Sequence, residues 1–206
     1  MRRLFLTLLL LLCAVALLRF GTLEATTAVR LSEQDMALQS DLIAVGVCQD
    51  VRTAWVGREL YTFATIEVNE TLKGVRSRMV TVVVPGGIDA AHNPPIARIY
   101  PGAVTPAQGA RVFLFLNEIP AMRPLRMANQ ENGALRLRSL AAARQFAIAG
   151  FSQGIFSVVG EPGRERVARN LSGLKLLSPT GVQEGGAESM PLQDFRDRIQ
   201  SYLNER

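Results

Sequence analysis

The sequence predicts a mainly β protein: a small antiparallel OB-like barrel with a short N-terminal helix and a docked C-terminal helix. Three stretches between residues 41 and 87 carry this prediction. Leu42 to Cys48 is apolar on both faces, Leu60 to Leu72 alternates with a period of two, and Met79 to Val84 is rich in β-branched residues. Alternation is the pattern of a half-buried strand, and a continuous apolar run indicates a strand covered on both faces. The 206 residues suffice for one domain with a sizeable core.

Residues 1–25 have the features of a secretory signal peptide. Arg2 and Arg3 precede an uncharged apolar run of 15 residues, from Leu4 to Leu18. A helix that spans a bilayer needs about 20 apolar residues, so this run is short for a permanent anchor. We therefore expect cleavage near Ala25, a secreted or periplasmic protein, and no transmembrane helix once the signal has been removed.

The charge and the cysteines of the remaining chain argue against several classes of function. The full chain has a formal net charge of +5, and residues 1–25 contribute three arginines and one glutamate, which leaves +3. A charge this mild does not predict nucleic-acid binding. Once Cys13 has left with the signal, Cys48 has no partner for an internal disulfide, so we expect a buried apolar residue there. No cofactor-binding motif occurs, and no cofactor is expected.

The expected domain organisation is a β-barrel over residues 26–180, followed by a linker and a C-terminal helix over residues 181–206. A short helix over residues 33–39 is expected before the first strand. Ser32 suits the N-cap of this helix, and Asp35 stands at the third helical position.

The connections of the barrel contain the most informative loops. The first hairpin connection is expected at residues 50–59, with Gly57 in the turn; Trp55 is then either a cover for one end of the barrel or a binding residue. The stretch from Ile88 to Gly109 has no periodicity and holds four prolines. A loop of this length is either functional or merely long. A fourth strand is expected from Ala110 to Leu116, covered on both faces.

The C-terminal half predicts shorter elements. Asn132-Gly133 is a hairpin turn signal. Further strands are expected at residues 145–149, 155–159 and 166–169. Residues 179–189 are expected to form a linker. A final helix from about Pro191 to Leu203 has apolar residues at steps of three and four, which gives it one apolar stripe for docking on the barrel.

One set of inward-facing residues is expected to form a single barrel core. Its members are Val45, Val47, Ile66, Val68, Val82, Val112, Leu114 and Ile155. They are aliphatic, and those on one strand are spaced by two residues, as one face of a strand requires.

The only histidine, His92, is the best starting point for a catalytic hypothesis. A hydrolase would use His92 with Asp89 and a serine, but no Gly-x-Ser-x-Gly elbow occurs in the mature chain. A zinc site needs three or four ligands, and no second histidine is available. We therefore favour a non-catalytic binding module, with a hydrolase or metal-dependent enzyme built around His92 as the alternative.

The expected binding surface is the long proline-stiffened loop, because binding residues tend to lie on loops held by a rigid scaffold. The expected partner is a protein or an acidic ligand of the cell envelope. The arginines near the Asn132-Gly133 turn would extend this surface if they lie at the same end of the barrel. The candidate partner-binding residues are Trp55, Asp89, His92, Asn93, Arg98, Tyr100, Arg136 and Arg138.

Two short stretches carry a resemblance to known proteins. Ser40 to Val47, and Tyr61 to Val68 followed by Leu72-Lys73-Gly74, are similar to patterns in uncharacterised secreted bacterial β-barrel proteins. More distantly, the chain resembles the netrin-like modules of metalloproteinase inhibitors, which share an OB-type barrel. The resemblance implies a barrel over about residues 40–160. Those inhibitors bind a target's zinc through an amino-terminal cysteine, whereas the mature chain is expected to start at Thr26, so protease inhibition is disfavoured.

Overall fold

The computed structural model describes residues 26–122, 126–127 and 144–205. The described helices are α1 (Glu33–Gln39), α2 (Leu192–Asn204) and a short 3-10 helix (Phe151–Gly154). The strands are β1 (Thr26–Val29), β2 (Leu42–Val56), β3 (Glu59–Lys73), β4 (Met79–Pro85), β5 (Gly87–Asp89), β6 (Ile96–Arg98), β7 (Arg111–Ile119), β8 (Arg126–Met127), β9 (Gln145–Ile148), β10 (Ile155–Val159), β11 (Arg166–Asn170), β12 (Leu174–Ser178), β13 (Gly181–Glu184) and β14 (Ala187–Pro191).

Five strands form a partly closed ring. The order of pairing is β2, β3, β4, β9, β7 and back to β2, because β2 pairs with both β3 and β7. The neighbours are antiparallel except for β4 and β9, which are parallel. From β7 the sheet continues outward through β10 and β11 to β14. The mainly β, barrel-like fold predicted from the sequence is confirmed.

The long strand β2 closes the ring because it bends. Register shifts interrupt its pairing with β3 after Ile43, Val45 and Cys48, and such bulges increase the bend and twist of a strand. Gly46 allows close approach at the bend: a Cβ there would lie 2.4 Å from the Glu67 carbonyl oxygen. The expected hairpin loop at residues 50–59 is wrong, because β2 continues to Val56 and only two residues separate it from β3.

The expected single core is divided between the two faces of the sheet. Ile66, Val82, Val112, Leu114 and Ile155 do pack together inside the ring, in the same buried cluster. Val45 lies instead on the opposite face, in a second cluster beneath α2. Val47 and Val68 are only half-buried. Strand β7 explains the division, because its alternate residues enter both clusters and it is therefore covered on both sides, as predicted.

Both helices form where the sequence predicts them. The Ser32 hydroxyl accepts a hydrogen bond from the Asp35 backbone N–H at 2.9 Å and thereby caps α1. Helix α2 buries Leu192, Phe195 and Ile199 against the second cluster, so the docked C-terminal helix is confirmed. The exposed arginine of that helix, Arg198, contacts Glu33 of α1 at 3.2 Å.

The segment expected to be a linker contains two strands. β13 pairs with β12 and β14 pairs with β11, both antiparallel. The N-terminal strand β1 pairs with β12 in parallel, so β1, β12 and β13 form a separate three-stranded sheet. These strands lie at sheet edges and expose much of their surface, so they lack the apolar alternation that reveals a strand from sequence.

Some expectations lie outside the described residues. They are the signal peptide at residues 1–25, the Asn132-Gly133 hairpin, Arg136 and Arg138. Within the described part of the chain, no helix has the length and apolar character needed to cross a membrane.

Candidate functional site

The first half of the long loop forms a small hairpin, β5 paired with β6, on top of the β2–β3 hairpin. Gly86 and Gly87 allow the chain to pass from β4 into this hairpin. Both have positive φ angles, and a Cβ at Gly87 would lie 2.5 Å from the Thr62 hydroxyl and 2.7 Å from a Thr53 methyl carbon. Thr62 donates to the Gly86 carbonyl oxygen at 2.9 Å. Only glycine leaves the room that this close crossing requires.

The buried carboxylate of Asp89 anchors the loop to the barrel. Asp89 is 1% exposed, and its Oδ2 accepts a hydrogen bond from Trp55 Nε1 at 2.6 Å. Its Oδ1 accepts from the backbone N–H groups of Ala91 and His92, at 3.1 and 3.2 Å. One side chain therefore both shapes the tip of the loop and attaches it to β2.

Glu59, at the start of β3, anchors the far side of the loop. Its Oε2 accepts hydrogen bonds from Arg98 Nη1 at 3.1 Å and from the Tyr100 hydroxyl at 2.9 Å. The guanidinium of Arg98 also lies 6.0 Å from the centre of the Trp55 ring, within the range of a cation–π contact. Sequence reasoning missed Glu59, because a single glutamate beside a turn carries no signal of these contacts.

The structure brings four of the predicted site residues together: Trp55, Asp89, Arg98 and Tyr100. Trp55 stands in β2 rather than in a loop, half-buried beside the β5–β6 hairpin. His92 and Asn93 lie exposed at the tip of the loop. Strand β8 pairs with β2 at Ala54 and Trp55, so the chain that leads to the arginine-rich segment passes beside this site.

His92 is not arranged as in a catalytic triad. Its Nδ1 donates to the Pro94 carbonyl oxygen at 2.8 Å, whereas a triad carboxylate would accept that hydrogen bond. Asp89 binds the His92 backbone instead. Among the residues that the structure describes, no group of three or more His, Cys, Asp and Glu side chains could hold a metal ion. The His92 enzyme hypothesis stays a prediction that His92→Ala would test.

The outer surface of the loop includes large apolar side chains. Ile99 is 89% exposed, Ile88 is 59% exposed, and Tyr100, next to Ile99 in the chain, is 37% exposed. Because hydrogen bonds to Asp89 and Glu59 hold the loop, these apolar side chains are presented by an ordered backbone. The two isoleucines carry no binding signal in the sequence, since an isolated isoleucine more often belongs to a core.

The Tyr100–Glu59 contact has a titration signature. The hydrogen bond to Glu59, with smaller contributions from desolvation and the negative charge of that carboxylate, raises the pKa of Tyr100 above 10.0. A raised pKa favours the protonated phenol of the folded protein. Its stabilising contribution is therefore complete below the ordinary tyrosine pKa and is lost as the pH rises through the folded value. The phenolate absorbance that is lost in Tyr100→Phe belongs to Tyr100. In a pH titration of the unaltered protein, this absorbance should appear at a higher pH than that of an ordinary tyrosine.

Glu59→Ala should move the Tyr100 pKa down toward its ordinary value, because it removes both the acceptor and the charge. Glu161→Ala, in an exposed turn, is the matched control and should leave it unchanged. An identical Tyr100 titration in Glu59→Ala and the unaltered protein would show that the contact is not formed in solution.

The fold and this surface define a small, mainly β protein with a partly closed barrel and an anchored loop on one hairpin. Comparison of the chain with protein-family models, with curated proteins and with solved structures finds no match. The resemblance to secreted β-barrel proteins and to netrin-like modules therefore stays a prediction.

Proposed function

We propose that this protein is an exported, non-catalytic binding module that recognises a protein partner through the outer surface of the β5–β6 loop. The observation that carries the proposal is the anchoring of this loop by two carboxylates, the buried Asp89 and the half-exposed Glu59. Their hydrogen bonds to Trp55, Arg98 and Tyr100 satisfy polar groups that a partner would otherwise have to desolvate. Ile88 and Ile99 are the large apolar side chains that remain exposed on this loop beside them.

An anchored loop suits recognition because ordering a loop costs conformational entropy, and a loop that is already held loses less on binding. Ile99 and Ile88 are the natural anchors, since apolar side chains that fill a partner's pocket provide much of the energy of an interface. The exposed His92 and Asn93 would form a polar rim around them.

A protein partner is favoured over an acidic envelope ligand for this loop. Its only arginine, Arg98, already contacts the Glu59 carboxylate at 3.1 Å, so the loop offers little uncompensated positive charge. An acidic ligand would depend on Arg136 and Arg138, which lie outside the described residues.

Ile99→Asp tests the role of the loop. We expect binding to a partner captured from envelope extract to weaken by at least about tenfold, because a charge would enter an apolar contact. The stability should change by less than about 0.5 kcal/mol, since Ile99 is exposed. Binding is measured by titration of the mature protein against the captured partner.

Val159→Asp is the matched control, because Val159 is half-exposed and lies in β10, away from the loop. It should leave binding unchanged. If Ile99→Asp bound the partner as tightly as the control, the loop would be excluded as the interface. Arg136 and Arg138 would then be tested by charge reversal.

The export part of the proposal rests on residues 1–25, which have the charge pattern and short apolar run of a cleaved signal. Mass spectrometry of the protein isolated from its native host should find a chain that starts near Thr26. A chain that retains Met1 and fractionates with membranes would contradict export by cleavage.

A further inference from the structure

A groove of about 590 Å³ lies at the other end of the long loop. Its floor crosses four strands, where Val112 of β7 is paired with Ser157 of β10, Ser157 with Ala168 of β11, and Ala168 with Ser189 of β14. These small side chains leave a depression roughly 14 Å long, given about 4.8 Å between neighbouring strands. The groove is separate from the β5–β6 surface, so the inference goes beyond the proposed function.

The segment from Val104 to Ala107 forms one wall of the groove. Hydrogen bonds hold this wall in place. The Gly109 backbone N–H donates to the Cys48 carbonyl oxygen at 2.7 Å, the Ala110 N–H donates to the Ala107 carbonyl oxygen at 3.0 Å, and the Ser152 N–H donates to the Gly102 carbonyl oxygen at 2.9 Å. Backbone hydrogen bonds therefore fix this wall of the groove against the barrel.

The interior of the groove is uncharged. Among the described residues, Arg169 and Glu188 are the only charged ones in its lining, and both neighbour floor residues in their strands, so their side chains point to the opposite face of the sheet. There they pair with each other at 2.8 Å, and Arg169 lies 4.6 Å from the centre of the Phe156 ring. Arg166, which is exposed and does not belong to the lining, donates to the side-chain and backbone oxygens of Ser189.

One buried polar group in the lining is without a hydrogen bond among the described residues. Ser152 is 6% exposed, and its Oγ has no hydrogen-bond partner within residues 26–122, 126–127 and 144–205. A buried hydroxyl without a partner costs free energy, and a ligand that hydrogen-bonds to it recovers part of that cost. The Oγ itself is closed to solvent, so a change of the Ser152 side-chain rotamer would present it to a ligand in the groove.

We infer that this groove is a binding site for a neutral, mainly apolar small molecule that carries one hydrogen-bonding group for Ser152. The volume lies within the range of about 300–1,000 Å³ that small-molecule sites occupy, and an apolar lining with few polar groups is their usual composition. Charged ligands are disfavoured because Arg169 and Glu188, the charged residues of the described lining, already pair with each other and leave no free charge to compensate a ligand's.

Titration with two fluorescent probes tests the charge class. The neutral N-phenyl-1-naphthylamine should bind the mature protein at one site with enhanced fluorescence, and the anionic 1-anilinonaphthalene-8-sulfonate should bind more weakly. Failure of the neutral probe to bind, or tighter binding of the anionic probe, would overturn the inference.

Variants of the floor test the location. Ser157→Leu and Ala168→Leu each fill the groove and should weaken the neutral probe by at least about tenfold, because the added side chain occupies the ligand's volume. Val159→Leu is the matched control on the same strand and face as Ser157, but outside the lining, and should bind normally. Circular dichroism melts establish that each variant is folded. Normal binding by either folded filling variant would exclude this groove.

Ser152→Ala tests the hydrogen bond. It keeps the shape of the groove and should weaken the probe, whose amine can donate to Ser152 Oγ, by roughly two- to tenfold. Unchanged affinity would remove Ser152 from the site. None of these variants alters Ile99, so failure of the groove inference would leave the β5–β6 loop proposal intact. Ile99 is not in the groove lining, so failure of the loop proposal would equally leave the groove inference intact.

Discussion

Phe195→Ala is expected to destabilise the protein by about 3–5 kcal/mol, the usual cost of removing a buried phenylalanine. Phe195 is fully buried on α2 and stands at the centre of an aromatic cluster. Its ring centre lies 4.8 Å from that of Phe113 and 4.7 Å from that of Phe156. The variant leaves a cavity between the helix and the sheet and also removes these ring contacts, which themselves contribute about 0.5–1.5 kcal/mol each. Denaturant unfolding measures the loss.

Phe151→Ala is the matched control for this prediction, because Phe151 is half-exposed and belongs to no buried cluster of the described residues. Its effect should be well below that of Phe195→Ala. Equal midpoints for the two variants would contradict the docking of α2 on the barrel.

Asp89→Ala is expected to release the β5–β6 loop. The indole N–H of Trp55 loses the carboxylate acceptor that it contacts at 2.6 Å, and the backbone N–H groups of Ala91 and His92 lose theirs. Removing the acceptor of a buried donor costs about 1–3 kcal/mol, and hydrogen bonds to a charged acceptor are at the upper end. Because Trp55 is the only tryptophan, its emission reports directly on this site and should shift to the red with greater quenching by acrylamide.

Asp194→Ala is the control for Asp89→Ala, because Asp194 is an exposed aspartate on α2. It should leave the tryptophan emission unchanged and the free energy of unfolding within about 0.5 kcal/mol of that of the unaltered protein. An Asp89→Ala protein with unchanged emission would show that the loop is held by other contacts. Glu59 would then be the carboxylate that anchors the loop.

The β5–β6 loop and the groove lie at opposite ends of the long loop, residues 88–109. Its first half, up to Tyr100, is anchored to the β2–β3 hairpin, and its last part, from Val104 to Ala107, forms the wall of the groove. Replacing the whole segment by a linker would therefore remove both features at once. Point substitutions such as Ile99→Asp and Ser157→Leu separate the two proposals.

The local sequence pattern was sufficient to predict a helix or strand where apolar residues recur at a regular spacing. The period-two stretch Leu60 to Leu72 forms β3, the two-sided apolar run forms β7, and the three- and four-residue spacing forms α2, as predicted. The Ser32 cap of α1 is equally local, since donor and acceptor lie three residues apart. The arginine-rich hairpin was also predicted locally, but it lies outside the described residues.

Local pattern failed where pairing partners are distant. Strand β2 runs on through Asp50 and Arg52 because β3 supplies its hydrogen bonds, and no apolar periodicity marks these residues. Strands β13 and β14 form at sheet edges, where exposed side chains are free to be polar. The single predicted core divides into two because β2 and β7 are covered on both faces. Their continuous apolar sequence is compatible with this, but it does not show which residues belong to which core.

The sequence by itself determined the class of the fold, the two helices and the loop most worth testing, because these depend on the order of apolar and polar residues over a few turns or strand repeats. Only the tertiary structure decided that Trp55, Glu59 and Asp89 meet at one site. Trp55 and Asp89, which stand 34 positions apart, are brought together by the pairing of β2 with β3 and of β3 with β4, and by the room that Gly86 and Gly87 leave. Contacts of this kind depend on where strands cross, and the spacing of residues in a single sequence does not encode that distance.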